Sequence, residues 1–142
     1  MSSKKSKNQK RPTVKRILLT ADESTSDTAL YETIPANTDS IILQVIPGDS
    51  GQSSVTDVYL NNRIIMDGHL GRITNKDMGT NNNLRGKILD IYTAITDIVG
   101  APDRTSFWMQ LKGGIKIYEN SMSKTVSVQG STVVFHMTII FF

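Results

Sequence analysis

"STVVFHMTIIFF" closes the chain, from Ser131 to Phe142. In an extended strand Val133, Phe135, Met137, Ile139 and Phe141 share one face, and Val134, His136, Thr138, Ile140 and Phe142 share the other. Both faces are largely apolar. Such a strand belongs at the centre of a sheet covered on both sides, or beneath another subunit. Left as an outer strand it would invite uncontrolled pairing. The sequence therefore nominates Phe135, Met137, Ile139, Phe141 and Phe142 as a contact surface between copies of the chain.

The rest of the chain repeats the same signature. Ile, Val and Thr number 16, 9 and 15 among 142 residues, and these side chains suit a pleated surface. Candidate strands are Val14–Thr20, Thr28–Ile34, Ser40–Ile46, Val55–Leu60 and Arg63–Met66. Further candidates are Lys87–Ile98, Thr105–Leu111, Ile115–Glu119, Thr125–Val128 and Thr132–Phe141. Turn residues divide them: Pro35, "PGDSGQ" at 47–52, Asn61–Asn62, "DGHLG" at 67–71, "GTNNN" at 79–83, "GAPD" at 100–103, Gly113–Gly114 and Gln129–Gly130. Asn tolerates positive φ, so Asn61–Asn62 reads as a two-residue hairpin turn.

"KILDIYTAITDIVG" at 87–100 is open to two readings. Ile88, Ile91, Ile95 and Ile98 recur at helical spacing, with Asn83 as a cap and Pro102 beyond the end, which allows one helix over 84–99. Leu89, Ile91, Thr93 and Ile95 also share one face of a strand. The β-branched and aromatic content favours the strand, with "TSFWMQL" as its hairpin partner. The expected fold is all-β: an antiparallel sandwich, jelly-roll-like, or a barrel, of about 8–10 short strands in one domain.

The charge is unevenly placed. Lys4, Lys5, Lys7, Lys10, Arg11, Lys15 and Arg16 supply 7 of the 16 basic residues before residue 17, with no acid among them. The remaining residues hold 9 basic and 13 acidic groups, a net charge of −4. Residues 1–13 read as a flexible basic arm with too little apolar surface to fold alone, and 14–142 as one β-rich domain. The arm has no aromatic residue for base stacking, so a nucleic-acid contact through it would engage phosphate without reading sequence. No secretory signal and no apolar run long enough to span a bilayer as a helix are visible, which points to the cytoplasm or a virion.

Chemistry-bearing motifs are sparse. "GDSG" at 48–51 resembles the nucleophile stretch of chymotrypsin-like proteases, but their triad runs His, Asp, Ser, and both His69 and His136 follow Ser50. There is no cysteine, and two histidines leave a metal site dependent on scattered carboxylates. Asp22, Glu23 and Asp27 lack the EF-hand spacing for calcium. Arg72, Lys76, Arg85 and Lys87 read as an exposed basic loop around "GTNNNL". No cofactor is implied, and no catalytic residue is nominated.

Two readings follow. In the first the chain is a non-enzymatic assembly subunit, coat- or tail-like. Its body packs against copies of itself, and its arm meets a polyanion or a neighbour. In the second it is a monomeric module that recognises a glycan or protein with Trp108, Tyr92 and Tyr118 as anchors.

Overall fold

The computed structural model describes residues 21, 23–48, 52–97, 104–126 and 130–142. Among these residues nine strands follow in chain order. They are β1 (Glu23–Tyr31), β2 (Ser40–Pro47), β3 (Ser53–Leu60), β4 (Arg63–Leu70) and β5 (Ile73–Thr80), then β6 (Ile88–Thr96), β7 (Arg104–Lys112), β8 (Tyr118–Thr125) and β9 (Thr132–Phe141). A single helical turn, α1 (Asn81–Leu84), separates β5 from β6, and the Thr80 hydroxyl caps it by accepting from the Asn83 amide at 3.1 Å.

The strands form two sheets, ordered β1-β9-β6-β3-β4 and β5-β2-β7-β8. They pack face to face as an open sandwich rather than a closed barrel. Alternation explains the core. Leu89, Ile91 and Ile95 from β6, Val133, Phe135, Met137, Ile139 and Phe141 from β9, and Phe107, Met109 and Leu111 from β7 are all buried in one cluster. Phe107 and Phe135 stack across the two sheets, with ring centroids 5.9 Å apart.

Residues 88–96 are a strand, so the helix over 84–99 does not form; the helical turn is confined to 81–84. Three other expectations change. The β1–β9 pair is parallel, from Glu23 opposite Val133 to Tyr31 opposite Phe141, so the sandwich is not wholly antiparallel. β6 and β7 are not a hairpin: β6 lies between β3 and β9, whereas β7 lies between β2 and β8. Each presents an apolar row to the same core from opposite sides, which two neighbours in one sheet cannot do. Finally, Phe135, Met137, Ile139 and Phe141 do not form a contact surface. They are at most 1 % exposed because the chain's own second sheet covers that face.

Asn61 and Asn62 make the expected tight turn, with φ of 49° and 65°. "DGHLG" does not stop the strand at Met66; β4 runs on through it to Leu70. Gly68, at φ 67°, sits within β4, and its amide donates to the buried Asp57 carboxylate at 2.7 Å. The β3–β4 register shifts at this point, between Thr56 and Val58. β5 appears in none of the candidate strands. Its buried anchors, Ile73 and Met78, are an odd number of residues apart and its pairing with β2 is bulged, so no period of two shows. The candidate strand Val14–Thr20 and part of Thr125–Val128 lie outside the described residues.

Gly113–Gly114 does not form a two-residue turn; Leu111 pairs with Tyr118 across a longer connection. These glycines serve close approach instead. A Cβ on Gly114 would stand 2.6 Å from the Tyr31 ring and 2.7 Å from the Glu32 carbonyl oxygen. Gly114→Ala should therefore destabilise the fold by about 1–3 kcal/mol, the usual cost of overpacking. A lowered urea midpoint at constant m would register it. An unchanged midpoint would mean that Tyr31 moves aside freely.

Candidate functional site

Trp108, Tyr92 and Tyr118 do not converge. Trp108 shares the outward face of β7 with Ser106 and Gln110, opposite the buried Phe107 and Met109, so it is half-buried rather than a core residue. Tyr92 lies on the outer face of the other sheet and is almost fully covered. Its ring stacks on His136 at 4.0 Å and meets Tyr59 edge-on at 5.8 Å. Burial first, and then the nearby Asp90 and Tyr59, push the Tyr92 phenol above its ordinary value. Tyr118 packs against the core, and its hydroxyl accepts from the Asn120 amide at 3.0 Å. No shared aromatic platform exists among these three.

His136 belongs to a polar row across β6 and β9. Its Nε2 lies 2.8 Å from Asp90 Oδ1 and 3.2 Å from Thr138 Oγ1, and the Thr138 hydroxyl donates to the same Asp90 oxygen at 2.8 Å. The trio has the residue types of a nucleophile, base and acid. The geometry differs. A catalytic relay engages the two ring nitrogens separately, one for the nucleophile and one for the carboxylate. Here both partners face Nε2, and the hydroxyl is bonded to the carboxylate directly. The row is cross-strand pairing that satisfies half-buried polar groups.

The other polar candidates are also engaged. His69 Nε2 donates to the Arg72 carbonyl at 2.6 Å. Glu23 pairs with Lys124 at 3.5 Å, and Asp27 accepts from Asn120 at 2.9 Å, so these acids join edge strands β1 and β8 of the two sheets. Asp22 lies outside the described residues. No group of three or more His, Cys, Asp or Glu side chains that could hold a metal occurs among the described residues. Arg72 and the Arg85–Lys87 pair flank opposite ends of β5, so the four basic residues around "GTNNNL" are not one patch. Lys4, Lys5, Lys7, Lys10, Arg11, Lys15 and Arg16 fall outside the described residues.

What the fold does bring together is apolar. On the outward face of the five-stranded sheet, Leu30 lies opposite Ile140, which lies opposite Ile88. One step along, Tyr59 lies opposite Ile64. Phe142 continues the outward face of β9. Around the edge of β1 the same band runs onto Ile115 and Ile117 of the β7–β8 connection, where Leu30, Tyr31, Glu32, Lys116, Tyr118 and Phe142 complete a groove of about 270 Å³. Leu30 is 64 % exposed, Ile117 64 %, Phe142 49 %, Ile115 47 % and Ile88 42 %. Tyr31 holds the groove floor: its hydroxyl donates to the Lys116 carbonyl at 2.7 Å and accepts from the Gly114 amide at 3.0 Å.

No known protein family, curated protein or solved structure matches this chain. Its functional site therefore rests on the geometry alone. Single apolar residues scattered over a surface are ordinary, whereas apolar side chains exposed together on neighbouring strands are not, and this band is the feature of the described surface that stands out. The sequence nominated β9 for such contacts but chose its inward row. Of the nominated C-terminal residues only Phe142 reaches the band, where it joins Ile140 of β9; Tyr118, nominated as an anchor, lines the groove. With both faces of β9 apolar, the alternation held no signal for which side the second sheet would cover.

Proposed function

We propose that this protein is a non-enzymatic assembly subunit. Its β-sandwich body self-associates through the apolar band, and its basic arm carries positive charge to a polyanion or an adjoining copy. The observation that carries the reading is the band itself, with exposed Leu30, Ile117 and Phe142 lining one groove and exposed Ile88 continuing the row beyond Ile140. Covering such side chains removes apolar surface from water at about 25 cal/mol per Å². Each contributes little to the fold of the isolated chain. The charge pattern supports the second half: seven cations in residues 1–16 precede a body of opposite net charge. Coat-like and tail-tube-like subunits combine the same two parts, an analogy of architecture alone.

Size-exclusion chromatography with light scattering tests this reading. The full chain is expected to form discrete oligomers at moderate concentration. Ile117→Lys and Leu30→Glu should each shift it toward monomer while leaving the thermal midpoint nearly unchanged, since both side chains are largely exposed. A monomer at every concentration and salt would overturn the proposal.

A further inference from the structure

The groove beside β1 has a natural occupant within the sequence. Immediately before the described body stands "VKRILLT", Val14–Thr20, whose Ile17, Leu18 and Leu19 form an uninterrupted apolar run behind Lys15 and Arg16. We propose that Ile17–Leu19 of one copy seats in the groove formed by Leu30, Ile117 and Phe142 of the next copy. This deepens the assembly reading and rests on it.

Chain length decides between a contact within one copy and a contact between copies. Ala21 packs against Tyr92, Ala94 and Val134. The band lies further along the same strands, at Ile140 and Ile88. Val134 and Ile140 are six residues apart on β9, about 20 Å at the rise of a strand. Ile17 is four residues from Ala21, so even fully extended it reaches about 14 Å, and Leu18 and Leu19 reach less. The apolar run therefore cannot fill the groove of its own copy. A neighbour's groove has no such limit.

The groove also suits the flanking charges. Glu32 lines it and is exposed, and no ion pair to a described residue engages its carboxylate, so it can receive Lys15 or Arg16. Lys116 also lines the groove and disfavours a second cation beside it. A segment entering a different surface of the next copy is a head-to-tail contact. Such contacts close into rings or extend into filaments rather than stopping at a two-fold dimer. The docked segment leaves Lys4–Arg11 outside the joint, where they remain available to a polyanion.

Complementation between two full-length variants tests this directly. Leu18→Asp spoils the segment but keeps the groove; Ile117→Lys spoils the groove but keeps the segment. Each alone is expected to be monomeric by light scattering. Their equimolar mixture is expected to form a one-to-one complex that grows no further, because only one productive joint remains. Coincident thermal melting with the wild type reports that each is folded, and Leu30→Glu replaces Ile117→Lys if the latter is not. If Leu18→Asp assembles like the wild type, the band meets another surface and this inference falls while the assembly reading stands. Two monomeric variants that fail to associate when mixed would also overturn it. A wild-type chain that is itself monomeric would remove both.

Discussion

Asn81→Leu should lower the unfolding free energy by about 2–6 kcal/mol, the cost of leaving two polar groups, the Ile34 amide and the Gly113 carbonyl, without the partner that Asn81 supplies. Asn81 is completely buried in the single turn of α1. Its Oδ1 accepts from the Ile34 amide at 2.9 Å, and its Nδ2 donates to the Gly113 carbonyl at 2.9 Å, the Asp39 carbonyl at 3.0 Å and Asn37 Oδ1 at 3.2 Å. One side chain thus ties the β1–β2 connection and the β7–β8 connection to α1. Leucine has the same branched outline, is bulkier and makes none of these bonds. Domain stabilities are about 5–15 kcal/mol in total, so the variant should be partly unfolded at 37 °C. Equilibrium urea unfolding reads the loss; a change below about 1 kcal/mol would show that water replaces the amide.

Asn81→Asp sharpens the same expectation. Its retained oxygen still accepts from Ile34, but the other would face the Asp39 and Gly113 carbonyl oxygens. The folded state then favours the protonated acid and raises its pKa above the unfolded value of about 3.9. With a raised folded pKa the penalty is absent below the unfolded value and grows as pH rises toward the folded one. The variant should therefore approach wild-type stability in acid and lose ground toward neutrality.

That hub was not legible in "GTNNNL", and the reason is physical. A polar residue in a polar run carries no local mark of burial; Asn81 is buried because connections 32–47 residues distant close over it. Legibility followed the locality of the cause. The Asn61–Asn62 turn depends on two residues that tolerate positive φ, and it formed where the sequence placed it. The limits of β9 match the apolar run to the residue. Partition of strands between sheets depends on long-range pairing. Nothing near Glu23 signals that it will run parallel to Val133, and nothing in "TSFWMQL" signals that it will leave β6 for β2 and β8. The site shows the same division. That β9 would be apolar on both faces was readable from its alternation. Which face the chain's own second sheet would cover was not, and the band exists only after β1, β9 and β6 align Leu30, Ile140 and Ile88.

Deleting residues 1–16 should abolish salt-sensitive binding to nucleic acid or heparin. Each phosphate neutralised by a Lys or Arg releases condensed counterions, so log K falls with log salt by about 0.9 per contact on a duplex. Seven cations set an upper slope of about −6, equivalent to a loss of about 10³- to 10⁴-fold between 50 and 200 mM salt. The body left behind has a net charge of −4, so its mean field repels a polyanion. The deletion spares Ile17, Leu18 and Leu19. Retention on heparin should therefore vanish while oligomers persist, because charge and apolar contact reside in adjacent but separate stretches. Salt titrations of both chains on an immobilised duplex decide the matter. Equal retention of the two at every salt concentration would assign polyanion binding to the body and leave the arm without that role. Loss of oligomers together with retention would instead mean that Lys15 and Arg16 hold the apolar run in place, through the pairing with Glu32 that the groove offers.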